Sequence, residues 1–201
     1  MDIASDGVKR VFTLPQPANL SPTYFVKLML ENAAGKPVSA NFYWLSTQGD
    51  TLDHPREGSD WYYTPTKQFA DFKALNTLPA VALKISAKSE ILNRAERVIS
   101  PPSPPRSGGE GRGEVVPRAQ GEHQTRVTIQ NPTKSLAFFI HLKVNSSKDG
   151  EEILPVIWED NYFSLLPGEK REVTATYDLP QAAKPVVEVE GWNIKPATIT
   201  Q

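Results

Sequence analysis

Between Val156 and Val173 the chain reads VIWEDNYFSLLPGEKREV. Two apolar runs, Val156-Ile157-Trp158 and Tyr162-Phe163-Ser164-Leu165-Leu166, flank the polar triplet Glu159-Asp160-Asn161. The second run stops at Pro167-Gly168-Glu169, and apolar side chains return at alternate positions, Val173, Ala175 and Tyr177. Strand side chains alternate between two faces, whereas Asp, Asn, Gly and Pro accept the backbone angles of turns. The segment therefore predicts strand, turn, strand, turn, strand. Leu166-Pro167-Gly168-Glu169 has the residue order of a type II turn, with Gly168 at positive φ. Apolar edges on successive strands need a facing sheet, which an immunoglobulin-like β-sandwich supplies. The stretch constrains the fold and holds no evident chemistry.

The remaining chain repeats this grammar. Val8, Phe12 and Leu14 share one parity before the Pro15-Gln16-Pro17 breaker and predict a strand over 8–14. Tyr24 to Leu30 and Val38 to Leu45, joined by a Gly-containing turn at 32–37, predict a hairpin. Thr51 to Asp60 reads as a polar surface loop. Phe69, Phe72, Leu75 and Leu78 recur in steps of three, the spacing of a 3₁₀ or short helical stretch. Val81, Leu83, Ile85 and Ala87 alternate inward against Lys84, Ser86 and Lys88. Later strands are expected at 125–130, 136–144, 152–158, 162–166, 172–177 and 186–192, completing the seven of an immunoglobulin-like sandwich. Trp192 breaks the parity of Val187 and Val189, which predicts a bulge at Gly191. Ser100 to Arg118, SPPSPPRSGGEGRGEVVPR, offers almost nothing to bury and is expected to be a disordered insertion.

The expected organisation is a partial β-sandwich over 1–60 and a packed aromatic connector over 61–79. An immunoglobulin-like sandwich follows over 80–195, interrupted at about 100–121, and then a tail over 196–201. Eighteen prolines in 201 residues suit short strands and turns rather than helices. A net charge of -1 argues against nucleic-acid or anionic-membrane partners. No cysteine is present, so no disulfide frame or thiolate chemistry is available. No signal peptide is visible at the start, and no apolar run is long enough for a membrane helix.

Candidate chemistry is sparse. His54, His123 and His141 are expected singly, in loops or on an exposed strand face, with no partner at a metal-site spacing. There is no GxSxG elbow and no phosphate-binding glycine loop, so no metal or cofactor is implied. Glu151-Glu152 and Glu159-Asp160 are sequence neighbours, and adjacent strand residues point to opposite faces, which does not poise carboxylates for glycosidic work. The triplet Glu159-Asp160-Asn161 is expected to cap backbone groups in its own turn. If a sugar binds, Trp158, Tyr162 and Trp192 are the candidate stacking rings, and Glu159, Asp160 and Asn161 the candidate acceptors.

The ordered set NFYWLST (41–47), DTLD (50–53), DWYYTPT (60–66), SLAFFIHL (135–142), LPVIWEDNYFSLLPGE (154–169) and VVEVEGWN (186–193) resembles one family. It is similar to the C-terminal β-sandwich region of family-two glycoside hydrolases, on the exo-β-D-glucosaminidase and endo-β-mannosidase branch. The resemblance covers nearly all of the chain except 100–121. It implies a multidomain glycosidase, often secreted or periplasmic, whose TIM barrel carries both catalytic glutamates. None of the barrel's residues is present, so no catalytic residue is implied in this chain. The chain corresponds to the last sandwich and the back half of the preceding one, with a Pro/Gly-rich insertion that relatives lack. Three functions follow as expectations. The first is a non-catalytic accessory segment partnered by the parent's catalytic domain, with self-association through 1–47. The others are a carbohydrate-binding module for an oligosaccharide and a pure protein-interaction sandwich.

Overall fold

A computed structural model describes residues 3–53, 64–92, 120–180 and 183–200. The chain divides into two compact units, Met1–Thr77 and Leu78–Gln201. His54, Trp61 to Tyr63 and the insertion at 100–118 lie outside the described residues.

In the first unit, β1 (Thr23–Glu31) and β2 (Pro37–Ser46) pair antiparallel from Thr23↔Ser46 to Leu30↔Ser39. Asn32 closes the hairpin because its Oδ1 accepts from the backbone N–H groups of Ala34 and Lys36, both at 3.0 Å. Gly35 takes the positive φ of 72° that this turn needs. β3 (Thr51–Leu52) pairs with β4 (Thr66–Gln68), so the start of the expected polar loop is a short strand instead. The three-step apolar pattern forms a 3₁₀ helix, Lys73–Thr77, which buries Leu75. Thr23 Oγ1 donates to the Asp71 carbonyl at 2.8 Å, and Ser46 Oγ accepts from the Asp71 N–H at 3.1 Å, tying the hairpin to the segment before that helix. The strand expected over 8–14 does not form. Val8 is fully exposed and Phe12 is 57% exposed. Their parity finds no partner strand, and the two prolines that follow cannot donate to a ladder.

The second unit is a β-sandwich of two four-stranded sheets. One has the order β5-β6-β10-β8, built from Lys84–Leu92, Gln120–Gln130, Lys170–Pro180 and Ile157–Trp158. The other has the order β12-β11-β7-β9, from Ala197–Thr200, Val186–Glu190, Ala137–Asn145 and Phe163–Leu165. Alternation decides what is buried: Val127, Ile129 and Val173 from the first sheet meet Ile140, Leu142, Val187 and Val189 from the second, while Ala175 and Tyr177 pack with Val144 in a second cluster. Burying a side chain of this size contributes roughly 1.5 to 3 kcal/mol, so this layer dominates the unit's stability.

In this unit four expectations change. The C-terminal residues are not a tail, because Ala197–Thr200 pairs with β11 and Ile199 packs on the core. The strand expected over 152–158 shrinks to Ile157–Trp158 plus an isolated Asn145↔Glu152 bridge, since Pro155 interrupts any ladder. Gly191 is not a bulge: β11 ends at Glu190, and the irregularity lies across the sheet, between Ala137 and Ile140 of β7. His123 is neither in a loop nor exposed; it is 3% exposed on β6, and its ring stacks on Tyr177.

The type II turn forms as the sequence predicts. Gly168 has φ 79°, and the Glu169 N–H donates to the Leu166 carbonyl at 3.1 Å. A Cβ at Gly168 would meet nothing within 4 Å, so space is not the constraint at this position. Gly168→Val is expected to cost about 1 to 3 kcal/mol through backbone strain alone. The shift in urea midpoint at unchanged slope checks this.

Candidate functional site

The sequence candidates separate once placed. Trp158 on β8 is half-buried opposite Ala175 and packs against both hydrophobic clusters of the sandwich. Glu159 accepts from the Thr174 hydroxyl at 2.8 Å, and Asp160 pairs with Arg171 while accepting from the Asn161 N–H at 2.8 Å. Asn161 imitates a strand residue: Oδ1 accepts from the Leu142 N–H and Nδ2 donates to the Leu142 carbonyl, both at 2.9 Å. The acidic triplet therefore does local structural work, as its turn chemistry predicts.

Tyr162 and Trp192 stand apart from these, 52% and 53% exposed. Tyr162 lies flat on His141, with ring centroids 4.3 Å apart and planes 11° apart. Reading His141 as a solitary histidine misses this pairing, and misses Glu190 as well. Glu190 Oε1 receives Nδ1 of His141 at 3.0 Å and Nζ of Lys143 at 2.6 Å. The signal is present in the strand parities, since His141, Lys143, Glu188 and Glu190 share one face, but the β7–β11 register that aligns them is a tertiary fact. Among the described residues no group of three His, Asp or Glu side chains is arranged to hold a metal ion.

The hydrogen bond from Lys143, and after it the one from His141, holds the Glu190 carboxyl below its ordinary 4.5. The same bond raises Lys143 above 10.5. The carboxylate's stabilisation is therefore complete above pH 4.5 and disappears as pH falls through the lower folded value; the lysine's is complete below pH 10.5 and disappears as pH rises through its raised value. With Glu190 45% exposed, solvent screening keeps the effect below about 1 kcal/mol. The melting difference between wild type and Glu190→Gln should be flat near neutrality and shrink in acid; a gap that persists in acid would assign it to packing.

Known proteins share this architecture. Residues 61–194 match the family model described as "Exo-beta-D-glucosaminidase Ig-fold domain". The chain belongs to that family. The exo-beta-D-glucosaminidase of Amycolatopsis orientalis is 38% identical over 93% of this chain, and that of Streptomyces avermitilis is 37% identical over 99%. A mannosylglycoprotein endo-beta-mannosidase from Lilium longiflorum is 29% identical over 87%. The crystal structure of the Amycolatopsis orientalis exo-chitosanase superposes with a TM-score of 0.72 at 36% identity, covering 94% of this chain and 19% of that one. The chain spans only 16% and 20% of the two bacterial relatives, so it matches about a fifth or less of their length. As an exo-β-D-glucosaminidase Ig-fold region, it is an accessory, non-catalytic part of a glycoside hydrolase.

Proposed function

We propose that the chain buttresses the catalytic barrel of an enzyme that removes glucosamine units from β-linked amino-sugar polymers. The observation carrying this reading is the Ig-fold family match, together with acidic residues that are committed to structural bonds. Within it, the partner is the catalytic domain of the parent enzyme. The purified chain is expected to leave p-nitrophenyl β-D-glucosaminide and β-mannoside intact. Nitrophenol release that co-elutes with the chain through gel filtration, in proportion to its concentration, would overturn the accessory reading.

The hairpin supports a second association. Met29, Leu30 and Val38 on β1 and β2 are 51%, 61% and 62% exposed, more apolar surface than an isolated two-stranded sheet tolerates well. Self-association through residues 1–47 covers it. Light scattering over a dilution series should show a mass above 22.3 kDa that falls on dilution. A constant monomer mass removes the self-association and leaves the barrel-supporting role standing.

A further inference from the structure

A run of rings on and beside β7 reaches from the buried Phe138 out to the half-exposed Tyr162 and Trp192, and neither the core nor the accessory role explains the exposed part. His141 stacks on Tyr162; Phe139 meets Tyr162 at 5.2 Å; Phe138 then links Phe139, at 5.7 Å, to Trp192, at 6.4 Å. Two of these rings stand on backbone in the left-handed region, Phe139 at φ 57° and Tyr162 at φ 56°. Bulky L-residues avoid that region because Cβ crowds a carbonyl oxygen, and a bulge of this shape ordinarily places glycine there. At Tyr162 burial does not offset the strain, since half the side chain faces water. Strained backbone under exposed rings is a feature of ligand sites.

Glu190 adds polar chemistry to the strip. Its Oε1 holds His141 and Lys143, while Oε2 and His141 Nε2 have no partner among the described residues. An ionised carboxylate is acceptor-only, so His141 Nδ1 donates to it and the ring is fixed in place behind Tyr162. A half-exposed aromatic ring beside a fixed carboxylate suits a pyranose: its C–H face lies on the ring, and a hydroxyl or ammonium group reaches the carboxylate. The strip is too narrow for a protein partner, because across β7 and β11 its neighbours are Lys143, Glu188 and Glu190, and interface centres are depleted in such charges.

We infer that Tyr162, backed by His141 and Glu190 and extended by Trp192, is a binding platform for a cationic amino sugar, one unit of a β-linked glucosamine polymer. The choice of an amino sugar over a neutral one rests on the proposed parent enzyme; the platform itself rests on the rings and the carboxylate. The hold that Lys143 and His141 have on the Glu190 carboxyl lowers it below its ordinary 4.5, so it is ionised near neutral pH.

The test titrates the whole chain with a glucosamine hexamer and, separately, with a neutral mannose hexamer, following amide chemical shifts. Saturable shifts around 139–143, 162 and 188–192 are expected with the glucosamine hexamer, with at least tenfold weaker binding in Tyr162→Ala and in Glu190→Gln. Trp192→Ala provides a second ring variant, and melting curves establish that each variant folds. Absence of saturable shifts with either sugar overturns the platform, as does binding indifferent to both Tyr162→Ala and Glu190→Gln. Binding of the mannose hexamer alone overturns the amino-sugar assignment. None of these results bears on whether the chain alone hydrolyses a glycoside, so failure of the platform and failure of the accessory reading are separately visible.

Discussion

Replacing Asn131 with alanine is expected to lower the unfolding free energy by about 3 to 5 kcal/mol, the range for breaking a buried hydrogen-bond network. Asn131 is completely buried where β6 ends. Its Nδ2 donates to the carbonyls of Ser135 at 2.8 Å and Leu165 at 3.0 Å. Its Oδ1 accepts from the Thr133 N–H at 3.1 Å and the Thr133 hydroxyl at 2.8 Å. Its backbone grips the type II turn, donating to the Glu169 carbonyl at 2.9 Å and accepting from the Gly168 N–H at 2.8 Å. One side chain thus joins the β6–β7 connection to the end of β9, and its removal strands carbonyls that face the core. Asn131→Asp should be about as costly, because it discards the donor and buries a charge. Urea unfolding followed by tryptophan fluorescence measures both. A loss under about 1 kcal/mol would mean that water replaces the amide without penalty.

That network shows what a linear reading can and cannot see. The strands around Val173, Phe138 to Val144 and Val186 to Val189 were legible because one buried face imposes a two-residue period, and the turn at Gly168 was legible because its geometry demands glycine. Ala197–Thr200 was missed because four residues after a proline carry too little alternation, although a neighbouring strand end was waiting for them. Asn131 directly follows the strand expected over 125–130, and nothing nearby in sequence names Leu165 as its partner. The same holds for the candidate site. Tyr162 and Trp192 were named as candidate stacking rings, and both are exposed. Trp158 carried the same signal and packs on the core. His141 and Glu190 are brought together only by the β7–β11 register, 49 residues apart in the chain.

Gly191→Ala carries the second large expected effect, and its origin differs from that of Gly168. A Cβ at 191 would stand 2.6 Å from Ile194 Cγ1, 2.8 Å from the Phe139 carbonyl oxygen and 3.2 Å from Ile140 Cα. Two of these atoms belong to the β7 backbone, which cannot yield as a flexible side chain does. The third belongs to Ile194, itself buried in the main core cluster. The residues that follow are a clamp. Trp192 donates its N–H to the Phe138 carbonyl at 3.1 Å, and the Asn193 side chain accepts from the Phe138 N–H at 2.8 Å. Asn193 Nδ2 donates to the carbonyls of Pro79 and Leu136, and the Asn193 carbonyl receives the Val81 N–H at 2.7 Å. Pushing residue 191 outward therefore loosens the start of β7 and the segment at Val81 together. Overpacking of this kind costs about 1 to 3 kcal/mol where it is local, and the coupled clamp puts Gly191→Ala at or above the upper end. Thermal unfolding of Gly191→Ala, Ile194→Ala and the double variant apportions the cause. If the Phe139 carbonyl is the obstacle, the double variant stays close to the sum of the single losses. If the Ile194 side chain is the obstacle, the double variant recovers part of the loss, and the rigid β7 backbone is not what excludes a side chain at 191.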